Sequence, residues 1–68
     1  KTLVDFFSNV RLRPGQASGA AEALALDGFD DKDLADGLIT LEVIKGLKMS
    51  VPWNRAELDR IEKNFQTL

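Results

Sequence analysis

The residues with the most chemical capacity are carboxylates crowded into one stretch: Asp30, Asp31, Asp33, Asp36 and Glu42. Carboxylates at that density could bind a hard cation, act as an acid and a base, or cap helices. Nothing else in the chain extends that chemistry, because its 68 residues contain no Cys, no His and no Tyr. Disulfides, thiolate or imidazole metal sites and Ser-His-Asp relays are thereby excluded. Ser8, Ser18 and Ser50 have no His to activate them, and so short a chain leaves little volume for a catalytic pocket beside a core. No catalytic residue, metal ligand or cofactor is therefore expected. The plain reading of the acidic run is that its members cap a helix and complement the dipole of its first turn.

The same run also resembles the calcium loop of EF-hand proteins. Asp31, Asp33 and Glu42 fall at the first, third and twelfth places of a 12-residue loop, where that family sets hard oxygen ligands. The sequence departs from the pattern at Ala35, which stands in a ligand place, and at Asp36 and Gly37, where the turn-forming Gly comes one residue late. A second resemblance covers about half the chain. Asp36-Gly37-Leu38 followed by Ile39-Thr40-Leu41-Glu42-Val43-Ile44 and Leu47 is similar to the Asp-Ser-Leu motif and following helix of acyl and peptidyl carrier proteins. Asn64-Phe65, with Thr67-Leu68, looks like the last-helix region of that family. The resemblance implies a small acidic four-helix domain; its arm-bearing Ser falls on Gly37, so what it implies here is a carrier-like domain without its attachment hydroxyl.

Helical spacing organises most of the chain. Thr2 and Asp5 have the spacing of a capping box, and Leu3, Phe6, Phe7 and Val10 follow at helical intervals, which predicts a first helix over about 3–10. Arg13-Pro14-Gly15 interrupts it. Ser18 is expected to cap a second helix whose Ala17, Ala20, Ala21 and Leu24 form a narrow stripe, with Gly28 at its C-terminal cap. Two later starts share one grammar: Phe29-Asp30 with Asp33-Leu34, and Trp53-Asn54 with Glu57-Leu58, each a polar cap, an acid three residues on and an apolar staple. A break near Gly37 keeps Lys45 off the face of Leu34, Leu38 and Leu41, and Thr40 then caps a helix over Leu41 to Lys48 with Ile39 and Ile44 as its staple. Residues 39–43 also alternate as a strand would, but only Val10 to Arg13 alternates similarly, so helix is preferred. The last helix should bury Leu58, Ile61, Phe65 and Leu68, with Arg55–Asp59 and Asp59–Lys63 pairs outside. The fold class expected is all-α, a single small bundle of four to five short helices forming one domain over residues 1–68.

Charge and apolar content point to a binding role. The net charge of −2 conceals a middle segment, residues 21–50, with three basic and seven acidic side chains. No basic cluster exists beyond Arg11 and Arg13, and a helix reading Asp31-Lys32-Asp33-Leu34-Ala35-Asp36 would be repelled by phosphates, so neither a helix-turn-helix role nor any other nucleic-acid contact is expected. No run approaches the ~20 apolar residues of a bilayer span, and the absence of Cys fits a soluble chain in a reducing compartment such as the cytoplasm. The chain begins at Lys1, compatible with a processed product or a piece of something longer. Leu, Val, Ile, Phe, Met and Trp make up 23 of the 68 residues, enough for one core whose burial a partner or a second copy would complete. Trp53, beside Pro52 and near Met49 and Val51, is the foremost contact candidate. Phe7 joins it, because Phe6 and Phe7 point about 100° apart on a helix and one of them should remain free. The expectation is a non-catalytic interaction module or accessory subunit that uses Phe7, Met49, Val51 and Trp53.

Overall fold

The computed structural model describes residues 2–67. Four of its five helices begin where a short polar side chain accepts a hydrogen bond from the backbone N–H three residues on. α1 (Leu3–Ser8) is capped by Thr2, α3 (Asp31–Ala35) by Asp30, α4 (Leu41–Lys45) by Thr40 and α5 (Arg55–Phe65) by Asn54. In α1, α3 and α5 the acid at the third position returns the bond to the cap's own N–H, completing the reciprocal box expected from the spacing. The architecture is all-α, and the described residues contain no strand.

α2 (Gln16–Leu26) starts differently. Its cap is Gly15 at φ 86°, with no side-chain hydrogen bond, so the expected Ser18 cap is corrected by three residues. Ser18 instead donates its hydroxyl to the Gly15 carbonyl inside the first turn, at 3.3 Å. The earlier start is set by tertiary contact: Gln16 is buried, and its side-chain amide donates to the Val51 carbonyl at 3.1 Å. The helix ends as Gly28 implies. Gly28, at φ 92°, donates to the Ala25 carbonyl and Phe29 donates to that of Leu24, the paired bonds of a Schellman ending in a conformation that favours Gly. Gly37, at φ 77°, closes α3 in the same way, with Leu38 N–H on the Asp33 carbonyl.

Two helices are shorter than their periodicity predicts. α1 stops at Ser8 rather than near residue 10, and α4 stops at Lys45 rather than at Lys48. Gly46 weakens propagation of α4, and beyond it the chain turns Leu47 inward and lays Met49 against Gly19 of α2. The paired charges expected along α5 also need correction. Among the described residues the ion pair that forms is Arg13–Glu57, and neither Arg55–Asp59 nor Asp59–Lys63 closes to within salt-bridge distance; exposed pairs of that kind gain little against the entropy of ordering two long side chains.

The core draws on every helix: Leu3, Phe6 and Phe7 from α1, Ala20, Ala21 and Leu24 from α2, Leu34 from α3, Ile44 from α4 and Ile61 from α5, with Ile39 and Leu47 from the connections. Both phenylalanines are buried, each 1% exposed, which corrects the expectation that one stays free. They meet edge to face at 5.1 Å and then diverge. Phe6 packs on Phe65 of α5 at 4.8 Å, and Phe7 stacks over Trp53 at 6.4 Å. The 100° between them is thus used to bury rings on two sides. On α5, Ile61 is fully buried while Leu58 and Phe65 are half-buried; Leu68 lies outside the described residues.

Candidate functional site

The segment from Val51 to Asn54 has no regular structure of its own, yet its backbone is held at nearly every residue. The Val51 carbonyl accepts from Gln16 and the Pro52 carbonyl accepts from the Arg13 guanidinium at 2.6 Å. The Trp53 indole N–H donates to the Ile44 carbonyl at 3.0 Å, and the Asn54 N–H donates to Glu57 Oε1 at 3.1 Å. Glu57 is the hub. Its carboxylate, with 1% of the side chain exposed, also takes the Arg13 backbone N–H at 3.1 Å and the Arg13 guanidinium at 2.6 Å. The guanidinium hydrogen bond is the largest influence holding this carboxyl down at about 2, against an ordinary 4.5; the Arg13 and Asn54 N–H groups act the same way, while burial opposes them. The Arg13 guanidinium is correspondingly raised by its bond to Glu57. These charges are spent on each other and on backbone groups, so the cluster is a clamp and offers no free acid or base.

The clamp presents two apolar side chains outward. Val51 is 45% exposed and Met49 half-buried. A hollow of about 400 Å³ lies on one side of them, walled by α2 from Gln16 to Leu26, and Leu26 is itself 81% exposed. A second hollow, of about 450 Å³, lies on the other side between Met49, Trp53, Leu47 and Leu58, with Lys45 and Lys48 at its margin. Met49 and Lys48 belong to both walls. Of the four residues singled out as partner contacts, Met49 shares one hollow with Val51 and the other with Trp53. Phe7 is behind them in the core and has no surface to offer; its ring supports the indole from beneath. Trp53 and Leu58 line the same hollow, so the staple expected of them and a share in an exposed wall coexist.

Two further hollows continue along α4 and α5. One of about 200 Å³ is bordered by Leu41, Lys45, Arg55, Leu58, Asp59 and Glu62. The next, about 560 Å³, has walls of Leu34, Ile39, Leu41 and Phe65, with Glu62 and Gln66 beside them. Neighbouring hollows share residues: Lys45 and Leu58 between the first pair, Leu41 and Glu62 between the second.

Most of the acidic run is occupied in holding helices. Asp30 and Asp33 exchange bonds at the start of α3. Asp31 reaches 28 residues back and accepts the Leu3 N–H at 2.7 Å, capping α1 from another element. Among the described residues no three acidic side chains converge where a metal ion could sit. Gly37 sits in the αL turn between α3 and α4 and lines the hollow of about 560 Å³. No described helix is long and apolar enough to cross a membrane.

Sequence reading missed Arg13, Gln16 and the second role of Glu57. Glu57 is legible as a cap box, but its partner lies 44 residues away, and nothing in local spacing marks an Arg before a Pro as an ion-pair donor. Comparison of the chain with models of known families, with curated proteins and with solved structures finds no match.

Proposed function

We propose that this protein is a non-catalytic interaction module that receives a protein partner on the face formed by Met49, Val51 and Trp53. The observation that carries this reading is the clamped segment between two open hollows of mixed polar and apolar lining, with Met49 in the wall of both. A surface held by hydrogen bonds from Arg13, Gln16 and Trp53 is ordered before a partner arrives, so little entropy remains to be lost on docking. Its residues are of the types that dominate binding energy, an aromatic and a methionine rimmed by Lys45 and Lys48. The buried carboxylate beside it is neutralised by Arg13, which argues for a supporting rather than a reactive role.

Trp53 is the sole tryptophan, so its emission reports on the site directly. Helical peptides selected from a displayed library against the intact chain should shift that emission and compete with one another. Met49→Glu and Val51→Glu should each weaken binding at least tenfold while the helical circular dichroism is unchanged. Selected peptides that bind both variants as tightly as the parent would place the interaction elsewhere. A concentration-dependent dimer abolished by Met49→Glu would make the partner a second copy.

A further inference from the structure

We infer that the partner is an amphipathic helix of about three turns, with basic residues at one end and acidic residues at the other, lying along the trough between α4 and α5. The inference rests on the interaction reading above and adds the partner's shape and charge order. Three hollows succeed one another along α5, sharing Leu58 and Lys45, then Leu41 and Glu62. The apolar floor therefore runs from Trp53, just before the first residue of α5, to Phe65, its last. Eleven helical residues span roughly 16 Å, the length over which a docked helix presents apolar positions at i, i+3 or i+4, and i+7.

Charge changes sign along that floor. Lys45 and Lys48 border the Trp53 end, and in the middle Lys45 and Arg55 share a hollow with Asp59 and Glu62. At the Phe65 end the one charged residue among the described residues of the wall is Glu62. Asp59 and Glu62 are exposed, and neither forms a salt bridge among the described residues. No described Lys or Arg lines the hollow at this end, so a partner's Lys or Arg side chains would complement Glu62, while partner carboxylates would suit Lys45 and Lys48. A uniformly basic or uniformly acidic helix would meet repulsion at one end.

The test uses four synthetic 14-residue helices with one shared Leu stripe. Their flanking residues are Lys at one end and Glu at the other, all Lys, all Glu, or all Gln. Binding is titrated on the intact chain through Trp53 emission at low salt. The polarised peptide should bind roughly tenfold more tightly than the Gln peptide and more tightly than either uniform one, with the gap shrinking as salt is raised. In the Lys45→Glu/Lys48→Glu variant, whose changes are both on exposed side chains, the all-Lys peptide should become the tightest. Equal binding of the Gln and polarised peptides would overturn the charge order and leave the interaction reading standing. Failure of all four to bind, while library-selected peptides still do, would overturn the trough as the docking surface and leave the interaction reading standing. Failure of every peptide would overturn both readings, whereas self-association through Met49 would overturn the charge-ordered helix alone and make the partner a second copy.

Discussion

Helices α1 and α2 close on one another, whereas α4 and α5 meet along a seam that stays partly open. On the closed side α1 brings Leu3, Phe6 and Phe7 and α2 brings Ala20, Ala21 and Leu24, all buried in one cluster. On the open side α4 is five residues long and brings a single fully buried side chain, Ile44; Leu41 and Val43 stay half-buried. A helix that short cannot cover the face of an eleven-residue neighbour, and the uncovered remainder is the trough. The two regions differ in how completely packing closes them, and the Arg13–Glu57 clamp ties the start of α2 to α5.

The largest effect is expected from the closed side. Phe6→Ala should cost about 3–5 kcal/mol, comparable to the whole stability that a core of this size supplies. The variant should have lost its cooperative urea transition and most of its helical circular dichroism. A well-folded Phe6→Ala chain would mean that the cluster of Phe6, Phe7 and Phe65 is not what holds the core.

The clamp comes next. Glu57→Gln leaves Arg13 facing an amide and should cost about 2–4 kcal/mol, read as a lower urea midpoint with an unchanged slope. Acid should act through the same group. Because the folded carboxyl sits at about 2 and the ordinary value is 4.5, its stabilisation is complete above about 4.5 and is lost as pH falls from there through about 2. At 1.36 kcal/mol per unit the full loss amounts to about 3 kcal/mol. Urea midpoints at pH 6, 4 and 2.5 should fall for the parent and fall much less for Glu57→Gln; parallel curves would remove Glu57 from the account of acid sensitivity.

The smallest effect belongs to the turn that opens the trough. No atom would obstruct a Cβ at Gly37, so Gly37→Ala tests backbone strain at φ 77° alone and should cost about 1 kcal/mol. A neutral substitution would show that the α3–α4 connection relaxes freely, and a rigid trough would then be the wrong picture of that side.

Local rules were readable wherever both partners lie within one turn of each other. The boxes at Thr2, Asp30 and Asn54, the Thr40 cap and the break at Gly37 each need only three or four residues to form, and each stands where its spacing predicts. Where partners lie far apart the same reading failed. Ser18 has the right chemistry for a cap, but a bond from Gln16 to Val51, 35 residues on, moved the helix start upstream of it. Phe7 has the profile of a contact residue, and only the arrival of Trp53 over its ring shows that it is core.

For this chain, then, sequence alone determined four of the five helix starts, the stops marked by Gly28 and Gly37 and the all-α class, because capping and periodicity are properties of consecutive residues. Tertiary structure decided which apolar side chains face outward, which carboxylate is buried, and where charges of opposite sign line one trough. Those outcomes depend on the packing of helices remote in sequence: Arg13 reaches Glu57 across 44 residues, and Asp31 reaches Leu3 across 28. Burial, unlike a cap, exists only once the whole chain has closed around it.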